Sequence, residues 1–183
     1  MTRTFSLRGT YEVADNASGA VTNIFDYVSP DRNRAWRIRG AWIWPRDIRA
    51  TTENQDAQAT LQATLWTDGW TPSHHVPDFD EVSNVEDNRQ CAWVTRQFLL
   101  RYDAGAPATH FICPANGASR GRFVVDPDTI VVKELHLSAC FTTESDTNPS
   151  RGWNYLVILE EMKVTATESV FQQIKGMGQN ITD

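Results

Sequence analysis

The chain has 183 residues, a formal net charge of −6, 40% apolar residues and 22% charged residues. This length suits one well-buried domain and is short for two, and the net charge argues against a surface that attracts polyanions everywhere. No N-terminal apolar run resembles a signal peptide and no apolar run is long enough to span a bilayer, so neither signal-peptide secretion nor membrane insertion is expected. Three widely spaced cysteines without a C-x-x-C pair predict neither a disulfide framework nor a zinc ribbon, and they fit a reducing compartment.

Alternation of apolar and polar residues, the pattern of half-buried strands, recurs through the first half of the chain. It predicts strands over residues 5–13, 21–28, 34–44 and 59–65. Residues 70–90 contain two prolines and many acids with no sustained period, which predicts a loop.

The second half repeats the pattern over residues 91–102, 109–113, 122–125, 129–142 and 152–164. Eight or nine strands with no convincing helix between them predict an all-β domain. Long loops and short turns both connect these strands, which favours a Greek-key or jelly-roll sandwich of about eight strands over an up-and-down barrel.

The C-terminal segment differs, because Thr165 and Glu168 form a capping-box pattern before a short amphipathic helix. The apolar residues that recur at helical spacing are Val170, Phe171, Ile174 and Met177. A glycine at 176 or 178 is expected to end the helix. The chain therefore divides into a sandwich domain, residues 1–164, and a C-terminal helix and tail, residues 165–183. The apolar stripe must dock either on its own sandwich or on a neighbouring copy, where it would form a subunit interface.

The densest chemistry lies in RNRAWRIRGAWIWP, residues 32–45, where arginine and tryptophan interleave. Strict alternation from residue 34 predicts one face with Trp36, Ile38, Trp42 and Trp44, and a second face with Arg37, Arg39, Ala35, Ala41 and Ile43. The tryptophan face then belongs to the core and the arginine face to solvent. A nucleic-acid backbone on the arginines and a sugar-stacking tryptophan platform remain alternatives. Six arginines and one aspartate give residues 32–49 a local charge of +5, whereas residues 53–90 carry −7.

Candidate catalytic and metal sites are weak. His74 and His75 stand near three acids, but adjacent histidines lack the spaced H-x-H pattern of cupin-type sites. His110 and His136 have no recognisable nucleophile partner. The chain lacks the G-x-S-x-G, P-loop, G-x-G-x-x-G and H-E-x-x-H motifs. The sequence therefore predicts a protein that is not an enzyme and holds no cofactor and no metal.

Several segments carry a resemblance to a known class of protein. They are residues 8–12 (RGTYE), the strand over 31–44, residues 81–90 (EVSNVEDNRQ), residues 125–128 (VDPD) and residues 153–160 (WNYLVILE) followed by the capped helix. In this order they resemble the capsid proteins of small environmental viruses, a class inferred to be single jelly rolls.

The resemblance implies a structural virion protein whose copies assemble inside the host cell into an icosahedral shell around the viral genome, with no catalytic residues. The chain lacks the long basic N-terminal arm of many small capsid proteins, so genome contact would fall to Arg3, Arg8, Arg34, Arg37 and Arg39. Two other functions stay open: a β-sandwich that binds carbohydrate or protein through exposed tryptophans, and a cupin-like metal enzyme. The binding-module hypothesis rests on Trp66 and Trp70.

Overall fold

The structure is a computed structural model. It describes residues 3–14, 21–27, 33–46, 49–50, 57–67, 89–102, 121–144 and 150–178. Within these ranges the chain forms eleven strands and one helix. They are β1 (Thr4–Ala14), β2 (Thr22–Asp26), β3 (Arg34–Pro45), β4 (Arg49–Ala50), β5 (Ala57–Thr67), β6 (Gln90–Tyr102), β7 (Gly121–Arg122), β8 (Val124–Val125), β9 (Ile130–Val131), β10 (Glu134–Glu144), β11 (Ser150–Lys163) and α1 (Ala166–Gly178).

The long strands form two antiparallel sheets. The first sheet has the order β1-β11-β3-β7, and β9 also pairs with β3. The second has the order β2-β10-β5-β6-β4, and β8 pairs with β6. When the short strands β4, β8 and β9 are left out, strands at equal distance from the two ends of the series are neighbours: β1 with β11, β2 with β10, β3 with β7 and β5 with β6. A long antiparallel hairpin rolled into two sheets has this order, so the predicted all-β jelly-roll sandwich is confirmed.

The core lies between the sheets and comes from the alternating positions of the long strands. In β1, Leu7, Tyr11 and Val13 are buried while the residues between them are exposed or half-buried. The largest fully buried side chains are Trp66, Trp153, Arg89, Phe141, Ile43, Leu61, Leu65, Leu135, Leu137, Leu159 and Val13. Trp153 contacts Phe98 and Phe141 across the sandwich, with ring centroids 5.3 and 5.7 Å apart, so it ties the two sheets together.

The single strand predicted over 129–142 is wrong. The segment forms β9, which pairs with β3 in the first sheet, and β10, which pairs with β2 and β5 in the second. Val131 and Leu135 are both buried, because both sheets turn their apolar side chains toward the same core. Lys133, which is in phase with them, is exposed and marks the point at which the chain changes sheet.

The helix α1 begins as predicted. The Thr165 backbone N–H donates to Oε2 of Glu168 at 2.7 Å, and the Glu168 N–H donates to Oγ1 of Thr165 at 3.2 Å, which is a reciprocal capping box. Just before it, the Val164 N–H donates to the Asn33 carbonyl at 2.9 Å, and Val164 is buried. These contacts fix the point at which the helix leaves the sandwich.

Candidate functional site

A β-bulge in β3 divides the arginine- and tryptophan-rich strand into two halves. Ile158 of β11 pairs with Gly40 and the next residue, Leu159, pairs with Ile38, so Arg39 is an extra residue in the ladder. An inserted residue reverses the alternation of side chains beyond it. The prediction of a single tryptophan face is therefore wrong for its second half.

The burial of the side chains follows the bulge. Trp36 and Ile38 before the bulge are buried, whereas beyond it Ala41 and Ile43 are fully buried. Trp42 and Trp44 are half-buried and take the outer positions. The two tryptophans therefore share the outer face of the first sheet with the exposed Arg37 and Arg39, which the sequence placed on the opposite face from them.

Four side chains from four strands form a row across this outer face. Arg8 of β1 pairs with Leu156 of β11, Leu156 with Trp42 of β3, and Trp42 with Arg122 of β7. Arg8 and Arg122 are exposed at the two ends of the row. With strands about 4.8 Å apart, the row spans about 14 Å. We call the outer positions of β1, β11, β3 and β7 the sheet outer face.

At one end of the sheet outer face, a cleft of about 470 Å³ lies where β1 and β3 begin and β11 ends. It is lined by Arg3, Arg34, Arg37, Glu160, Glu161, Met162 and Lys163. Nη1 of Arg34 lies 2.7 Å from Oε1 of Glu161, and Nε of Arg3 lies 3.9 Å from the other oxygen of the same carboxylate. Four cations thus face two carboxylates, which leaves the cleft with a positive excess.

The structure does not gather the five candidate nucleic-acid arginines at one place. Arg3, Arg34 and Arg37 line the cleft, and Arg37 also belongs to the sheet outer face, on which Arg8 lies outside the cleft. Arg39, at the bulge, is held by Glu160 through two contacts, of which Nη2 to Oε1 measures 3.2 Å. The five arginines are therefore spread between the cleft and the rest of the sheet outer face.

The apolar stripe of α1 is open to solvent in the single chain. Val170 is 48% exposed, Phe171 67% and Ile174 53%. The side chain of Met177 lies outside the described residues. The sequence allowed this stripe to dock on its own sandwich or on a neighbouring copy. The structure shows that its own sandwich does not cover these three side chains.

An aromatic cluster that the sequence did not predict closes one end of the sandwich. Phe25 and Tyr27 stack with ring centroids 5.9 Å apart, and Trp36 meets both edge-on at 6.0 and 5.6 Å. Phe5, 48% exposed, completes it at 6.3 Å from Trp36. The signal was the spacing of Phe25 and Tyr27 at i and i+2, which places both rings on one face of an extended segment.

The tryptophan chosen for a carbohydrate-binding module is in the wrong environment. Trp66 is 1% exposed, and its indole N–H donates to Oγ of Ser138 at 2.8 Å. A sugar therefore cannot stack on it. Trp70 lies outside the described residues.

The histidines give no metal site in the part of the chain that the structure describes. His74, His75 and His110 fall outside it. His136, on β10, has Nε2 3.2 Å from Oε2 of Glu134. Hydrogen bonding to Lys133 and to His136 lowers the pKa of Glu134, although partial burial opposes the shift. No group of three possible metal ligands occurs among the described residues.

The sequence matches no family model and no curated protein. Among the described residues, no helix combines the length and apolarity that a membrane span requires.

Proposed function

We propose that this chain is a structural subunit that associates with copies of itself into a closed shell, as a viral capsid protein does. The jelly-roll fold supports this role but does not by itself define it, because the same architecture carries lectin and cupin functions. The observation that carries the proposal is the exposed apolar face of α1, formed by Val170, Phe171 and Ile174.

The argument starts from the weakness of a short helix. A helix of thirteen residues is marginal in water and gains most of its stability from packing an apolar face. The capping box holds the first turn, yet the three apolar side chains beyond it are about half exposed or more. Burying them on a neighbouring copy would remove this apolar surface from water, which drives association.

The second proposed partner is the nucleic acid that the shell would enclose. A net charge of −6 makes packaging unfavourable unless positive charge is concentrated locally. The cleft concentrates it by placing Arg3, Arg34, Arg37 and Lys163 around only two glutamates. These cations supply a local counter-charge for phosphate groups.

The proposal is tested by the oligomeric state of the purified protein. Light scattering with size-exclusion chromatography, followed by negative-stain electron microscopy, should show large particles of uniform diameter under some condition of salt and pH. Salt screens both attraction and repulsion between charged surfaces, so the scan should run from about 50 mM to 1 M salt. A strict monomer throughout this range at high protein concentration would contradict the proposal.

A further inference from the structure

The sheet outer face combines an aromatic ring with flanking positive charge. In the row Arg8–Leu156–Trp42–Arg122, the two arginines stand on either side of an apolar centre. Stacking of nucleic-acid bases on a protein surface requires this combination of aromatic rings and cations on one face. Strict alternation would have separated them, and the bulge at Arg39 brings them together.

Trp42 is oriented as a stacking surface. A Cβ added to Gly40 would lie 2.5 Å from Cη2, 2.9 Å from Cζ3 and 3.2 Å from Cζ2 of the Trp42 indole. Three ring atoms so close to one outward position mean that the ring lies along the sheet, over the glycine. A ring laid along the sheet turns one of its faces to solvent, and Trp42 is half-buried in this position. Trp44, also half-buried, follows about 6.8 Å further along the strand.

The charge on the same face favours a polyanion. Arg8, Arg37 and Arg122 have no carboxylate partner among the described residues, whereas Arg39 is neutralised by Glu160. A glycan would not require three available guanidinium groups, but a chain of phosphates would. A double helix hides its base faces, so a ring lying on a flat sheet can stack only on unpaired bases.

We propose that the sheet outer face binds single-stranded nucleic acid, with a base stacked on Trp42 and phosphates held by Arg8 and Arg122. This inference rests on the proposed function in one respect only: the proposed shell would supply the nucleic acid as the genome that it encloses. It specifies a partner by chemistry, a single strand with accessible bases, and it does not require assembly.

The test is fluorescence anisotropy with fluorescein-labelled 20-nucleotide oligothymidylate and oligouridylate, measured over a series of salt concentrations. Binding of either strand supports the proposal, and the tighter of the two identifies the preferred sugar. Trp42→Leu should weaken binding about 5- to 150-fold, the range for loss of one stacked base. The salt dependence of that variant should stay unchanged, because no phosphate contact is lost.

Replacing the arginines should change the salt dependence of binding, which Trp42→Leu leaves unchanged. Arg8→Gln together with Arg122→Gln should reduce the slope of log K against log salt by about 1.4, since each phosphate contact to a single strand contributes about 0.7. Both side chains are exposed, so these variants test the proposal even if Trp42→Leu misfolds. Lys133→Gln is the control for the single variant Arg8→Gln. It also removes one positive charge from an exposed position, but next to the second sheet. Its affinity for the oligonucleotide should stay within about twofold of the parent's.

Four results would overturn the proposal. The first is full binding by Trp42→Leu with native near-ultraviolet circular dichroism. The second is displacement of the labelled strand by an unlabelled duplex of the same sequence, or by inorganic polyphosphate of equal charge, as effective as displacement by the unlabelled single strand. The third is a Lys133→Gln loss equal to that of Arg8→Gln, which would indicate diffuse electrostatics. Sedimentation is scored on the same samples, so loss of assembly and loss of binding are distinguished. The fourth applies if the parent protein binds no nucleic acid. If Trp42→Leu then dissociates its oligomers, the sheet outer face is a contact between copies of the chain.

Discussion

The indole of Trp42 and the backbone of Gly40 lie in direct contact on the outer face of the first sheet. A Cβ at residue 40 would meet Cη2 of the ring at 2.5 Å, which is closer than real side chains approach one another. The glycine thus determines where the tryptophan lies. It also stands directly after Arg39, the extra residue of the bulge, so one short segment sets both the phase of the strand and the orientation of the ring.

Gly40→Ala should displace the Trp42 ring and lower the free energy of unfolding by about 1 kcal/mol, the low end of the range for overpacking, because the half-buried ring can move outward. The check is urea denaturation combined with the tryptophan emission maximum. In a Trp42→Leu background the same alanine should destabilise far less, because the ring it would meet is gone. Ser6→Ala, at an exposed position of the same face, is the control and should be nearly neutral. Additive effects in the double variant would contradict the contact.

Two tryptophans should differ in their contribution to stability. Trp153 is fully buried between Phe98 and Phe141, so Trp153→Ala should lower the free energy of unfolding by about 3–5 kcal/mol. Trp42 is half-buried on the outer face, and Trp42→Ala should lower it by only about 1–2 kcal/mol, in proportion to the smaller apolar area lost. Equal losses in urea denaturation would place Trp42 back in the core.

Local features of the fold could be predicted because nearby residues determine them. The alternation of β1 and the capping box of Thr165 and Glu168 each depend on residues a few positions apart, and the structure confirms both. The jelly-roll class followed from the number of strands and the spacing of their connections. These signals survive in the sequence because the chemistry that produces them is contiguous.

The bulge at Arg39 could not be predicted with the same rules, because it is defined by pairing with Ile158 and Leu159, more than a hundred residues away. Gly40 is the one local hint, since glycine within a strand often marks a bulge. Without the bulge, the sequence put Trp42 in the core and missed the candidate binding face. The cleft was missed for a similar reason, because Arg3 before β1 and residues of β3 and β11 each contribute part of it.

The first turn of α1 should weaken in acid. Hydrogen bonds from the Thr165 backbone N–H and hydroxyl lower the pKa of Glu168 below its ordinary value of 4.5. A lowered pKa in the folded state means that the carboxylate stabilises the helix above pH 4.5 and that this contribution disappears as the pH falls through the lowered value. Hydrogen exchange should therefore show less protection at the start of α1 below that pH. Glu168→Gln should remove this pH dependence, and an unchanged profile in that variant would contradict the cap.

Cys91 and Cys140 should be unreactive in the folded protein. Both are buried, and Sγ of Cys91 lies 3.3 Å from the Leu65 carbonyl oxygen. Burial raises the pKa of the Cys91 thiol, and the thiolate is the reactive form. Iodoacetamide followed by peptide mapping should label neither residue without denaturant and both in about 6 M urea. Rapid labelling of Cys91 in native protein would mean that β6 opens readily from the second sheet.

The central claim, that α1 joins copies of the chain, is tested most directly by sedimentation velocity on matched apolar-to-polar variants. Phe171→Ser with Ile174→Ser removes the exposed helix face, whereas Val124→Ser removes a comparably exposed apolar side chain (71%) from β8. We predict that the parent and Val124→Ser sediment as large assemblies and that the helix variant sediments as a folded monomer. Assembly by the helix variant equal to that of the parent would contradict the account.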